Sequence, residues 1–257
     1  MTRMLVRGPL TLDECRSLAL TLGERSECTI TRHHLLRGSA TAFCVGDPGA
    51  PIAALVQPYD CEAEPLGLGQ DVAALYALLQ VARNWTCVEV EVDVASALAG
   101  LLSADTGQAC RLYGDLYYRL EHTVKPNAHP AVRLLTLDDE PLLASAPQNL
   151  QGTGWGTREG LLREGAIACA ILRGAIVASA CTVAMTPGHA EIGVETLPDH
   201  RRKGYATAAA GLMAAWIQAR GLTPTWSTGE DNWASQRVAE KLGFRRCYER
   251  TYVIPQR

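Results

Sequence analysis

The sequence predicts an α/β (α+β) fold of two mixed-sheet domains in tandem, residues 1–125 and 130–257, with helices packed on both sides of each sheet. Three observations predict it. The chain has 257 residues, enough material for two small cores. Near the middle, EHTVKPNAHPAVRL places Pro126, Asn127, His129 and Pro130 where a regular pattern would have to continue, as linkers do. On either side of that seam, short apolar strands alternate with helices in the same order, so one supersecondary programme is written twice.

The elements follow in order. In the first half, TAFCVGDPGAPIAALVQPY reads as a hairpin of two apolar strands hinged at Asp47-Pro48-Gly49. Then come EPLGLGQ, a helix in DVAALYALLQVARN, a strand in TCVEVEVD, a helix in ASALAGLLS and a closing strand in CRLYGDLYYRLE. The second half answers with AIACAILRGAIVASACTVAM, a hairpin hinged at Arg173-Gly174, and a strand in HAEIGVETL. A cationic turn and an Ala-rich helix follow, then a strand (TPTWST), a helix (NWASQRVAEKLGF) and a final strand (RRCYERTYVIP). Hairpins supply antiparallel pairs and strand–helix–strand units supply parallel ones, so each sheet is expected to be mixed.

Composition narrows the function. Hydrophobic residues make up 47% and charged residues 20%, an ordinary globular balance that argues against disorder. A net charge of -3 argues against a general nucleic-acid or membrane-surface binder. The N-terminal segment has no long apolar core and no run is long enough to span a bilayer, so a cytoplasmic protein is expected. The nine cysteines are scattered and never form Cys-x-x-Cys, the pattern of small buried side chains in a reducing compartment. His33-His34 reads as a surface pair, since chain neighbours seldom point at one ion, and no metal is predicted.

One stretch carries chemistry: PDHRRKGYATAAAGLMAAWIQARGL, Pro198 to Leu222. Arg201, Arg202 and Lys203 run into Gly204, and an alanine-rich segment follows without a cation until Arg220. A helix start leaves its first N–H groups unpaired at the positive end of the dipole. A glycine there lets the backbone approach phosphate oxygens, and the three cations add charge beside it. A strand leads directly into this turn, which favours a phosphate cradle over a solvated basic turn. By contrast, Gly152-Thr-Gly154-Trp-Gly156 is not followed by Gly-Lys-Ser/Thr and is no nucleotide P-loop. It is expected to be a mobile loop.

Arg201-Arg202-Lys203-Gly204-Tyr205-Ala206 has the form R-x-x-G-x-A, which resembles the acyl-CoA motif of the GCN5-related N-acetyltransferase (GNAT) superfamily. The resemblance runs from about Val132 to Pro255 and includes N-x-x-S-x-x-x-x-x-K-L-G-F from Asn232 to Phe244. The first half fits in outline, since LGLGQD has the glycines but no cation, and resembles a degenerate copy. The resemblance implies GNAT-like domains in which the fourth and fifth strands splay apart and acetyl-CoA lies in the gap. It implies backbone contacts at Thr196 and Leu197, and pyrophosphate contacts at Arg201, Arg202, Lys203, Gly204, Tyr205, Ala206 and Thr207. Asn232 and Ser235 match positions that face the cofactor in one branch of the superfamily, and their alternative is helix capping.

Glu195 lies two residues before Leu197 on the same strand and is the expected general base, with Glu191 the weaker candidate. Many members carry a tyrosine acid in Tyr-x-x-x-Gly-Phe, where this chain has Ala239, so Tyr248 is the expected substitute. The implied partners are acetyl-CoA and an amine acceptor, with no nucleic acid and no membrane, in a monomer or homodimer. The rival reading is a non-catalytic CoA-binding module.

Overall fold

The computed structural model describes residues 5–125 and 128–256, so Pro126 and Asn127 of the seam lie outside the described residues. The chain divides into two units: one runs through Leu116 and takes in the chain's end from Tyr248, and the other is Tyr117–Cys247. Both boundaries fall inside strands.

The first unit begins with β1 (Val6–Arg7), α1 (Leu12–Leu22) and α2 (Thr29–Arg37). Thr11 and Glu14 form a reciprocal capping box that starts α1, and left-handed Gly38 ends α2. The predicted hairpin follows as β2 (Ala40–Asp47) and β3 (Ala50–Pro58), closed by the Gly49 N–H on Asp47 Oδ1 at 2.8 Å. Next come β4 (Leu66–Gly69), α3 (Val72–Leu79), β5 (Val88–Glu91), α4 (Val92–Thr106) and β6 (Cys110–Arg119). The strand order within this unit is β1-β2-β3-β4-β5, with the chain's closing strand beside β5.

Alternation along β3 builds cores on both faces of this sheet. Ala53 and Leu55 join α3 and α4 residues such as Leu75, Leu78 and Leu98, whereas Ala54 and Val56 join Leu18 and Leu35 of α1 and α2. Each buried leucine contributes about 1.5–3 kcal/mol. Two boundaries differ from the sequence pattern. α3 stops at Leu79, whose carbonyl accepts from the Trp85 indole at 3.2 Å. The Val-Glu alternation continues past Glu91, but α4 begins at Val92 because Val94, Ala95, Leu98 and Leu102 fill the core at helical spacing.

His33 and His34 are not a surface pair. α2 is buried over most of its circumference, and the two rings are 1% and 4% exposed. His34 Nδ1 shares a hydrogen bond with Ser39 Oγ at 2.9 Å, and burial pushes the ring's pKa down to about 4 despite Asp60 nearby. None of the nine cysteines, all among the described residues, is in a disulfide; six are buried, and Cys61 and Cys247 are exposed. No helix among the described residues is long and apolar enough to cross a membrane.

The second unit contains β7 (Val132–Leu134), α5 (Glu140–Ala144), α6 (Arg158–Glu164), β8 (Ile167–Leu172), β9 (Ala175–Met185) and β10 (His189–Thr196). It continues with α7 (Tyr205–Gln218), β11 (Thr223–Gly229), α8 (Trp233–Lys241) and the start of β12 (Arg245–Pro255), whose last residues return to the first unit. Strand order here is β7-β8-β9-β10-β11, with the end of β6 beside β11. The β8–β9 turn places Arg173 and Gly174 both in the left-handed region (φ 50 and 80), the hairpin geometry expected of that dipeptide.

Alternation again separates two faces. Ile167, Cys169 and Cys181 pack with Leu143, Leu150 and Leu161 on the α5–α6 side. Ala168, Ala170, Ala178 and Ala180 are fully buried, and α7 packs on β8, β9 and β10. Small side chains on both surfaces explain why α7 is rich in alanine: the helix backbone can sit close to the sheet and is held there. That contact fixes the helix start, which is where the candidate site lies.

Candidate active site

β10 and β11 run parallel and pair at only three positions, His189 with Thr223, Ala190 with Pro224 and Glu191 with Thr225. Both strands continue past that point, β10 to Thr196 and β11 to Gly229, without further pairing. They therefore diverge, and a gap opens beyond Glu191 and Thr225. On its other edge β10 stays paired with β9 through Thr196, with a bulge at Val183, between Thr182 and Ala184. The Leu197 N–H donates to Val177 O in β9 at 3.0 Å. Backbone groups alternate sides along a strand, so the Thr196 N–H and C=O face the gap. Leu197 turns the other way, and its side chain packs into the core with Tyr205.

From Leu197 the chain makes a short 3-10 turn (Pro198–His200) and enters the cationic loop. Arg202 is left-handed (φ 61) without being glycine, and Gly204, the N-cap of α7, is left-handed too (φ 85). Closely spaced left-handed residues turn successive N–H groups to one side, a nest for an anion. No side-chain cap closes α7, and a Cβ built on Gly204 would meet nothing within 4 Å, so the space over the nest is open. An oxyanion fits here. The Arg201 side chain is 62% exposed, and Lys203 Nζ donates to Asp199 O at 2.9 Å. Ala206 and Thr207 lie in the first turn of α7, while the Tyr205 ring packs edge-on against His129 at 5.1 Å and leaves its backbone amide to the nest.

Glu195 is half-buried next to this loop. Its Oε1 accepts from the Thr196 N–H at 2.8 Å and lies 3.9 Å from Arg201 Nη2, while Arg201 Nε donates to Thr196 O at 3.3 Å. Thr196 Oγ1 and His200 Nδ1 are buried without a hydrogen-bond partner. Glu191, the weaker candidate, is 2% exposed at the apex of the gap and accepts from Thr225 Oγ1 at 2.5 Å.

On α8, Asn232 Oδ1 accepts from the Ser235 N–H at 3.2 Å, and Ser235 Oγ accepts from the Trp226 indole at 3.0 Å. Asn232 therefore caps the helix, and Ser235 ties it to β11. Ala239 is fully buried, and Trp233, beside the cap, is 66% exposed. Tyr248 falls in the first unit. Its hydroxyl donates to Glu91 Oε2 at 2.7 Å, which pushes the phenol up to about 12 with some help from burial. The glycine run 152–156 is packed down: the Trp155 indole donates to Thr182 O at 2.6 Å, and a Cβ on Gly154 would collide with the Val183 carbonyl.

The first unit has its own divergence. β4 and β5 are parallel and pair only at Leu66 and Glu89. Here Arg250 fills the gap: Nη2 donates to Gly67 O at 2.6 Å, Nε lies 2.8 Å from Glu89 Oε1, and Nη1 reaches Glu91. The signal in the sequence is Glu89 and Glu91 alternating with valines in a buried strand, which calls for a cation on a neighbouring strand.

Comparison with known proteins agrees with this geometry. The GCN5-related N-acetyltransferase-like protein from Streptococcus suis superposes with a TM-score of 0.67 at 21% identity, covering 95% of this chain and 99% of that one. A Drosophila protein gives a TM-score of 0.68 at 17% identity, covering 98% of each chain. A tandem GNAT protein from the clavulanic acid biosynthesis pathway gives 0.58 at 16% identity, again covering 98% of each. These likenesses establish the fold. No curated protein sequence matches the chain. The family model of the GNAT acetyltransferases matches residues 122–254, just over half of the sequence. The chain belongs to the GNAT acetyltransferase family.

Proposed function

We propose that the chain is an acyl-CoA-dependent N-acyltransferase that moves acetyl from acetyl-CoA to a primary amine by direct attack in a ternary complex. The observation that carries this reading is the coincidence of the β10–β11 gap with an open anion nest at the start of α7. A long donor ending in a diphosphate needs both. The amides from Gly204 to Thr207, with Arg201, Arg202 and Lys203, hold the diphosphate, and the gap-facing N–H and C=O of Thr196 orient the arm. Acetyl-CoA supplies the activated acyl group as a thioester.

The remaining work falls to the protein. N–H groups on the gap edge of β10 polarise a carbonyl laid against them. Holding donor and amine in one cleft replaces a bimolecular encounter with a positioned one. Glu195, at the same edge, accepts the proton of the attacking amine, directly or through one water. We assign no proton transfer to Tyr248, whose hydroxyl is committed to Glu91. Ala239 has no proton to give, so the departing thiolate is protonated from water. Asn232 borders the cofactor while capping α8, and CoA binds the second unit alone, since Arg250 fills the corresponding gap of the first.

The buried alanine at the usual acid position favours one rival, a CoA-binding module without turnover. Thiol release from acetyl-CoA by the full chain, across a panel of amines, amino acids and peptides, separates the two. Turnover on at least one acceptor is expected; CoA binding with no turnover on any acceptor would favour the module.

A further inference from the structure

Thr196 turns one donor and one acceptor into the gap, and its own neighbours take both. Glu195 accepts its N–H at 2.8 Å, and Arg201 donates to its C=O at 3.3 Å. The two side chains lie 3.9 Å apart, so they form a closed ring across the β10 edge: carboxylate, amide, carbonyl, guanidinium. Each also has an assignment in the proposed reaction, Glu195 as base and Arg201 on the diphosphate. Neither group can serve both purposes at once. An amide of the donor arm that pairs with Thr196 must displace both side chains, and Arg201 must leave Thr196 O to turn its guanidinium to the diphosphate.

We propose that Glu195 and Arg201 form a latch on Thr196 that the acyl donor opens, so that the base is released only when the donor is in place. The inference rests on the acyl-CoA reading of this site. Its physical basis is exchange: the donor replaces two intramolecular hydrogen bonds with its own, and the diphosphate outcompetes a carbonyl for Arg201 because it is charged. The freed Glu195 carboxylate then has no N–H bond holding it and can take an amine proton. Arg201 is thereby a positioning residue as well as a phosphate ligand. The amine, whenever it binds, is deprotonated only after the donor has bound.

The test compares two neutral variants, which separates the hydrogen bond from the charge. Glu195→Gln keeps a side-chain oxygen that can accept from Thr196, and Glu195→Ala does not. CoA binding to the full chain is measured by calorimetry, and exchange of the Thr196 amide hydrogen is followed without CoA and at saturation. The latch predicts that Glu195→Ala binds CoA about two- to tenfold more tightly than Glu195→Gln, the equivalent of one intramolecular hydrogen bond. It also predicts that, without CoA, the Thr196 amide exchanges several-fold faster in the Ala variant than in wild type or the Gln variant, and that saturating CoA slows it in all three. Equal affinities with equal exchange would overturn the latch and leave the cofactor reading standing. Failure of wild type to bind CoA would overturn the cofactor reading itself.

Discussion

Glu195 is a half-exposed carboxylate whose side chain folds back along its own strand onto the Thr196 N–H. If it is the base, Glu195→Gln keeps the shape and the hydrogen bond but cannot take a proton. Turnover at neutral pH is then expected to fall roughly 10²–10⁴-fold, the usual contribution of a positioned base. The loss should narrow at high pH, where the amine arrives already deprotonated, and a pH–rate profile of both proteins checks it. Full activity of the Gln variant at neutral pH would reduce Glu195 to a strand residue. At this scale spacing alone put Glu195, Arg201 and Gly204 at one strand–turn–helix junction, and the structure keeps them there. The choice between Thr196 and Leu197, both expected to offer backbone contacts, was not legible. Which edge of β10 faces the gap is decided by a long-range hydrogen bond, Leu197 to Val177, and no local pattern carries that register.

At the scale of elements, the two diverging strand pairs show how one arrangement takes two fates. In the first unit the gap between β4 and β5 holds the Arg250 guanidinium, 3% exposed, against the nearly fully buried Glu89. Removing one partner strands a buried charge, so Arg250→Leu should lower the stability of the chain by about 3–5 kcal/mol in urea unfolding. Pairing it with Glu89→Gln should recover part of the loss; no recovery would mean that Arg250 matters for packing alone. α2 contributes a second test. His34 is neutral in the fold, with its pKa depressed from 6.5 to about 4 by burial. The unfolded chain therefore takes up the proton first, and His34 makes its full contribution above about pH 6.5. That contribution declines as pH falls through the window down to about 4. His34→Gln should flatten the stability profile across that window.

These elements also show where pattern failed. The apolar face of α2 was not visible in TRHHLL because histidine reads as polar, and burial with Ser39 as partner overrides that reading. The strand continuing past Glu91 was the correct local period and the wrong answer, since helical burial of Val94, Leu98 and Leu102 won. The Ala-rich α7 was legible throughout, because small residues on a helix demand a close partner and the alanines of β8 and β9 supply it.

For the whole molecule, the duplicated order of strands and helices was readable, and the exchange of strand ends between the units was not. The first unit takes the last residues of the chain, and the second takes the end of β6, through hydrogen bonds such as Leu120 to Pro224. Pairing across so many residues leaves no signature in composition or periodicity. In the proposed reading one unit holds an acyl-CoA, and the other has filled the corresponding gap with its own Arg250. Calorimetric titration of the full chain with CoA tests it most directly, beside the Arg201→Ala variant. One CoA per chain is predicted, with binding weakened in the variant by about 1.5–3 kcal/mol, the value of a charge-assisted hydrogen bond. Two equivalent sites per chain, or an affinity that Arg201→Ala leaves unchanged, would contradict it.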